Sequence, residues 1–258
     1  MDSSDDRLDA RALSLPGVDS RAIASCGSTN AMLLAERPAH PVLLAADEQT
    51  AGRGRRGRRW LSPAGTGAMF SLARRMRGPA SLLSGLSLAV GVAAAGALHR
   101  LGAAGVALKW PNDLLAAEAK LGGILVETRL GGDEHLVVVG IGLNCRRVEG
   151  LDARLRRSVA CLDELTARPL ARNAVIRAVA GGVLAGLEAF ERHGLTAFAD
   201  EWRSLHAHEG RQLEVRLDDG RRVRGVATGL APGGALRLRT RAGFRDITAG
   251  RISVREAA

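Results

Sequence analysis

Ten residues, AGRGRRGRRW (51–60), hold five arginines and three glycines and are the most chemically loaded stretch of the 258-residue sequence. Arginine forks, and backbone amides left open by glycine, are the groups that grip carboxylates and phosphates. Gly52, Gly54 and Gly57 also spell G-x-G-x-x-G, the dinucleotide-binding pattern. That pattern must open a helix and be answered by an acid about 20 residues later. Here Trp60, Pro63, Gly65 and Gly67 follow, which cannot build a first helical turn, and no Asp or Glu occurs between Gln49 and Asn112. The dinucleotide reading is excluded. An RNA-binding arm needs aromatic side chains among its arginines to stack bases. The chain has no Tyr and 3% aromatics, with Trp60 alone beside the loop, so no nucleic-acid partner is expected. The RNA arm is the alternative of a different class, and a cradle for a small bound anion fits the residue types better.

The net charge of +10 points the same way once it is located. The acid-free window carries nine Arg and Lys109, which equals the whole excess. A positive field confined to one segment suits one bound anion rather than a generally basic surface. Of 37 basic residues, 35 are Arg, and only Lys109 and Lys120 are Lys. A chain so biased keeps Lys where a compact ammonium is needed in place of a broad fork. The two flank Asn112 and Asp113, and Asn is itself scarce. Cys26, Cys145 and Cys161 form no C-x-x-C pair, which suits a reducing compartment and argues against structural zinc. The six histidines show no ligand spacing, and His206 with His208 reads as a solvated pair on an exposed helix end.

The elements that must position these residues follow from hydrophobic patterning. Residues 1–20 read as a polar N-terminal tail without a secretory signal. Short apolar runs predict strands at 42–46, 68–73, 106–110, 124–128 and 135–144, and helices at 81–101, 170–192 and 195–206. The longest apolar segment, 86–98, is 13 residues and too short to span a bilayer. A cytoplasmic protein without membrane contact is expected. From 208 onward short alternating runs are separated by Gly turns, with Asp219-Gly220 a strong hairpin signal. Catalytic residues are therefore expected in 21–207 and a small β-barrel in 208–258. Only 26 residues precede GSTN (27–30), too few for a winged-helix DNA-binding domain.

Six motifs in order, GSTN (27–30), EQTAGRGRRGRRW (48–60), SPAGTG (62–67), KWPNDL (109–114), KLGGILVE (120–127) and GIGLN (140–144), make the chain resemble the biotin protein ligases from about residue 20 to its end. The resemblance implies an α+β fold: a class II synthetase-like mixed β-sheet catalytic domain flanked by helices, followed by a small SH3-like β-barrel. It also implies ATP-dependent biotinylation of a lysine on biotin carboxyl carrier protein through biotinyl-5′-AMP, with release of pyrophosphate and then AMP. On that basis Ser28, Thr29, Asn30 and Gln49 hold the biotin head group, and Arg53, Gly54 and Arg55 close over it. Ser28 is equally placed to be a helix N-cap. Lys120 sits between the biotin carboxylate and the ATP α-phosphate, with Gly122 and Gly123 allowing close approach. Asp113 takes a Mg²⁺-linked role. Arg55, Arg58, Trp60, Lys109, Asn112 and Asn144 contact ATP, and Arg255 reaches the adenylate from the barrel. Lys120, Arg55 and Asp113 are the catalytic set. Two departures from the family pattern are Gly27, where an acid is usual, and Arg251, where Glu is frequent; the second leaves open how the barrel docks. A lipoate–protein ligase is the nearest enzyme alternative, and an exposed sheet edge leaves a homodimer open as an assembly.

Overall fold

The computed structural model describes residues 6–150, 152–153 and 158–254. The chain runs β1 (Asp19–Cys26), α1 (Thr29–Glu36), β2 (Val42–Gln49), β3 (Gly67–Arg77), α2 (Leu86–Arg100), β4 (Val106–Lys109), β5 (Asp113–Ala116), β6 (Ala119–Arg129) and β7 (Glu134–Asn144). Helices α3 (Arg172–His193) and α4 (Ala199–Leu205) follow, then β8 (Gln212–Arg216), β9 (Arg222–Leu230), β10 (Leu236–Thr240), β11 (Gly243–Ile247) and β12 (Arg251–Val254).

The first seven strands form one mixed sheet in the order β1-β2-β3-β7-β6-β5-β4, with β1 parallel to β2 and every other pair antiparallel. Side chains alternate across a strand, so its two faces bury different sets. One face carries Leu43, Phe70, Leu72, Val137, Val139 and Ile141 into a large core with α2 and α3. The other face carries Val42, Leu44, Ala73, Leu136 and Val138, covered by Leu33 of α1. Beyond the end of α1 that second face is open, and there the functional residues gather.

Helix α3 buries Val175, Ile176, Val179, Val183, Leu187 and Phe190, the i, i+3, i+4 spacing of a single apolar stripe. By length and composition it could cross a membrane, but the stripe packs against α2 and β3. Helix α2 is Ala-rich and buried on most sides. It starts at Leu86, later than the expected 81, because residues 80–83 form a 3₁₀ turn and Gly85 caps the helix at φ 80°. The expected helix at 195–206 is likewise a 3₁₀ turn (195–198) running into the short α4.

Two further expectations are corrected. The segment read as a polar tail is docked from residue 6: Leu8 and Leu13 are buried, and Asp6 pairs with Arg146 and Arg172. Arg172 is 3% exposed and also meets Asp47, so a buried guanidinium anchors the N-terminal segment to the end of β2. His206 and His208 are buried rather than solvated. His206 stacks on Trp202 with centroids 4.4 Å apart, and His208 faces Glu118 at 3.2 Å. The chain past α4 folds back along β4, with Ala207 N–H donating to Leu108 O.

The last five strands form an SH3-like antiparallel sheet in the order β11-β10-β9-β8-β12. Among the described residues its ladder is open between β11 and β12, and the five strands fit the small SH3-like barrel expected for this segment. It is fixed to the first sheet by specific polar contacts. Trp110 Nε1 donates to Gly234 O at 2.9 Å, and Ser84 Oγ donates to Gly233 O at 2.7 Å.

Candidate active site

On the open face of the large sheet lies a cavity of about 320 Å³. Its closed end is neutral and polar. Ser28 caps α1, its Oγ accepting from Ala31 N–H at 3.5 Å, and the same residue lines the cavity. Thr29 and Asn30 are 2% and 3% exposed and begin α1, which brings them over the middle of the sheet. Gln49, at the end of β2, accepts from Thr29 N–H at 2.9 Å.

The opposite end is cationic. The arginine loop is a tight hairpin: Trp60 N–H donates to Gly52 O at 2.9 Å, and Gly54 N–H donates to Arg58 O at 2.7 Å. A methyl at position 52 would lie 2.6 Å from Trp60 O, so the hairpin closes only over glycine. Arg53, Gly54, Arg55, Arg58 and Trp60 all line the cavity, and so do Arg56 and Arg59. Arg53 pairs with Glu127 at 2.8 Å. Arg55 donates to Asn112 Oδ1 at 3.4 Å. Burial, seconded by the like charge of Arg56, holds the Arg55 pKa below its ordinary value, while Asp113 and Asp218 oppose the shift. Arg56 crosses to the second sheet and pairs with Asp218 at 2.9 Å, and Gly250 and Ile252 complete that wall.

Lys120 and Asp113 form an ion pair on the floor, both mostly shielded from solvent. Their meeting depends on a register irregularity. Asp113 pairs with Gly123 and Leu114 with Gly122, but Leu115 pairs with Lys120, so Leu121 is an extra residue in β6. This bulge turns Lys120 onto the face that carries Asp113 and Gly123; in regular alternation it would point to the other side. The Lys120 backbone is held on the other side by Ser158 O and by Ala160 N–H, and Asn144 Nδ2 donates to its carbonyl at 3.0 Å.

The Trp60 ring packs against the strand floor at Gly142 and Gly123. A methyl at Gly142 would be 2.4 Å from its ring, and one at Gly123 would be 3.4 Å from both the ring and Lys120 Nζ. Lys120 Nζ lies 5.9 Å from the Trp60 ring centroid, within cation–π range. Trp60 Nε1 is buried without a hydrogen-bond partner.

The cavity thus gathers Ser28, Thr29, Asn30, Gln49, Arg53, Gly54, Arg55, Arg58, Trp60, Lys109, Asn112, Asp113, Lys120 and Gly123 of the sequence-derived set. Gly122 and Asn144 do not line it. Gly122 faces β7, where a methyl would lie 2.6 Å from Leu143 Cδ2, so its small size serves strand packing. Asn144 bridges the carbonyls of Lys120 and Ala160 and acts on the floor from below. Arg255 lies outside the described residues. Sequence reasoning missed Ser71 and Glu127, whose signal was polarity inside apolar strands. It also missed the glycines 140 and 142 as a platform for Asn30 and Trp60.

Among the described residues, Cys161, Asp163 and Glu164 are the one group whose donor atoms lie within 4.8 Å of one another, away from the cavity. Burial pushes the Cys161 thiol to about 11, and Glu164 is already engaged by Arg147.

The profile described as "Biotin/lipoate A/B protein ligase family" matches residues 25–144, and "Biotin protein ligase C terminal domain" matches 208–255. The "Bifunctional ligase/repressor BirA" of Escherichia coli is 38% identical over 216 residues, covering 82% of this chain and 66% of its own length. The chain therefore spans just under two thirds of that relative. The "Biotin--[acetyl-CoA-carboxylase] ligase" of Mycobacterium tuberculosis is 36% identical over 228 residues, covering 84% of this chain and 81% of its own. Among solved structures, the biotin protein ligase from Aquifex aeolicus in complex with biotin and ATP superposes with a TM-score of 0.79 at 27% identity, covering 94% of this chain and 100% of its own. The chain belongs to the biotin protein ligase family.

Proposed function

We propose that this protein activates biotin with ATP to biotinyl-5′-AMP and pyrophosphate, and then transfers the biotinyl group to a lysine of biotin carboxyl carrier protein with release of AMP. The observation that carries this reading is the division of one cavity into a neutral hydrogen-bonding end (Ser28, Thr29, Gln49) and a cationic end (Arg53, Arg55, Arg58, Lys120). A ligand with an uncharged polar head and a carboxylate tail fits that division, with an ATP phosphate meeting the carboxylate at the cations. Bringing two anions together is the electrostatic problem of the first step, and fixed cations aimed at the developing charge are the appropriate tools.

In this reading Lys120 bridges the biotin carboxylate and the α-phosphate as a point charge, and Arg55 steadies the same oxygens. Asp113, the carboxylate among the described residues that line the cavity, holds Lys120 in place. Magnesium fits this donor set as a phosphate-borne ion: one carboxylate with Asn112 beside it suits a cation that keeps its waters and binds chiefly through substrate. When bound it would neutralise phosphate charge. Trp60 and Lys109 serve the nucleotide. Residues 21–207 are read as the catalytic unit, with 208–258 supplying Asp218 to hold Arg56 and the wall at Gly250 and Ile252, in the cytoplasm. Biotin-dependent ATP–pyrophosphate exchange tests the reading, with lipoate in parallel. Exchange with biotin alone is expected, and exchange with lipoate alone would overturn it.

A further inference from the structure

Behind the polar end of the cavity runs an unbroken chain of hydrogen bonds whose proton directions are fixed by chemistry. Asn30 Nδ2 donates to Leu125 O at 3.2 Å and to Glu127 Oε2 at 2.9 Å. A carbonyl and a carboxylate only accept, so the Asn30 amide has one orientation and its Oδ1 must accept. Ser71 Oγ, fully buried in β3, lies 2.6 Å from that Oδ1 and gives it its single proton. Ser71 therefore accepts from its other neighbour, Thr29 Oγ1, also at 2.6 Å. Thr29 Oγ1 also lies 3.2 Å from Gln49 Oε1, but its single proton goes to the much closer Ser71 oxygen, whose own proton is already spent on Asn30.

The consequence reaches the cavity. With its proton on Ser71, Thr29 Oγ1 offers a ligand only lone pairs. Gln49 Oε1 is occupied by Thr29 N–H at 2.9 Å, which leaves Nε2 as the Gln49 donor. Ser28 Oγ accepts from Ala31 N–H, which leaves its hydroxyl proton to donate. The closed end thus reads as two donors beside an acceptor. A cyclic urea, with one carbonyl and flanking N–H groups, matches it, whereas a dithiolane ring offers neither group.

We infer that Glu127 and Ser71 are positioning residues that set this polarity, acting through Asn30 on Thr29 without touching the ligand. The inference rests on the biotin reading above and adds how the head group is told apart from its isosteres. Glu127 also reaches the arginine loop, because its Oε1 holds Arg53 at 2.8 Å and so ties that loop to the same relay. A glutamine at 127 brings an amide that can donate to Asn30, so the shorter of the two contacts that orient Asn30 no longer fixes it and only the 3.2 Å contact to Leu125 O still does. An alanine at 71 cuts the relay alone and leaves Arg53 paired.

The test is calorimetric binding of biotin and of an isosteric analogue in which one ureido N–H is replaced by oxygen. Glu127→Gln, Ser71→Ala and Ser71→Thr are compared with the intact protein, with Tm recorded for each. The intact protein is expected to prefer biotin by at least about 100-fold, because a site built to hydrogen-bond a group rejects the analogue lacking it. Both Glu127→Gln and Ser71→Ala are expected to lose about tenfold or more of that preference, with the ATP KM within about twofold, while Ser71→Thr retains it. A preference unchanged in both variants would overturn the inference. Should Ser71→Ala not fold, Glu127→Gln, whose side chain is 20% exposed, decides alone. Failure of the intact protein to bind biotin would instead overturn the biotin reading itself.

Discussion

Gly142→Ala is the most economical probe of how the arginine loop is seated. The added methyl would lie 2.4 Å from Trp60 Cε2 and 2.8 Å from both Cζ2 and Nε1. Carbon atoms in ordinary contact sit about 3.5–4.0 Å apart, so the ring must retreat by roughly 1–1.5 Å. Strand β7 cannot yield instead, because at Gly142 it is paired with β3 on one side and β6 on the other. The displacement passes to the hairpin that carries Arg53, Arg55 and Arg58. Overpacking of this kind costs about 1–3 kcal/mol, a fall in Tm of roughly 2–10 °C for a chain of this size. Misplacing reacting groups by about 1 Å costs about 100-fold in rate, and that is the expected loss in biotin-dependent pyrophosphate exchange. Gly132→Ala, with nothing within 4 Å of the new methyl, is the matched control. In a Trp60→Ala background the Gly142→Ala penalty should largely vanish, since the clashing ring is gone. A Gly142→Ala protein within about twofold of wild type, or a penalty unchanged in the Trp60→Ala background, would refute the seating argument.

Other outcomes follow from the same geometry. Lys120→Ala should lower exchange by on the order of 100- to 1,000-fold at little change in Tm, and Lys120→Arg should not restore it, since a broad fork cannot replace a point charge against Asp113. Exchange rates of the two variants check this. Arg172→Met removes the buried partner of Asp6 and Asp47 and should cost about 3–5 kcal/mol in urea unfolding. Burial lowers the His206 pKa from 6.5 to about 4, so the unfolded chain binds the extra proton between those values. His206 thus adds stability that is complete above pH 6.5 and lost as the pH falls toward 4, on the order of 2–3 kcal/mol. Urea midpoints at pH 7 and pH 5 should show a smaller drop in His206→Gln than in wild type; an equal drop would remove His206 from the account.

Much of this site was legible before any folding was considered, and the reasons are local. The glycines and arginines of 51–60 announce an anion cradle by type. Lys120 stands out because the chain keeps so few lysines. The apolar runs of β2, β3 and β7 mark strands because each is buried on both faces over several residues. The losses have equally physical causes. Strand β5 is four residues long and abuts the Asn112-Asp113 turn, too short for a period to show. His206 and His208 look solvated at the end of a helix, and only the folded chain buries them. Ser71 and Glu127 sit in apolar strands as isolated polar residues, and what each one bonds is set by a partner at least 41 positions away.

By itself the sequence determined the chemical inventory: an acid-free stretch of cations, two sparingly used lysines, and turn chemistry that sets the last fifty residues apart. These are properties of residue type and neighbour order, which survive without coordinates. Tertiary structure alone decided direction. The extra residue Leu121 in β6 puts Lys120 on the face of Asp113, because one inserted position reverses the alternation of a strand. In the inferred relay from Glu127 through Asn30 and Ser71, Thr29 gives its proton to Ser71 and offers a ligand only lone pairs, because a hydroxyl has one proton and a partner distant in sequence claims it first.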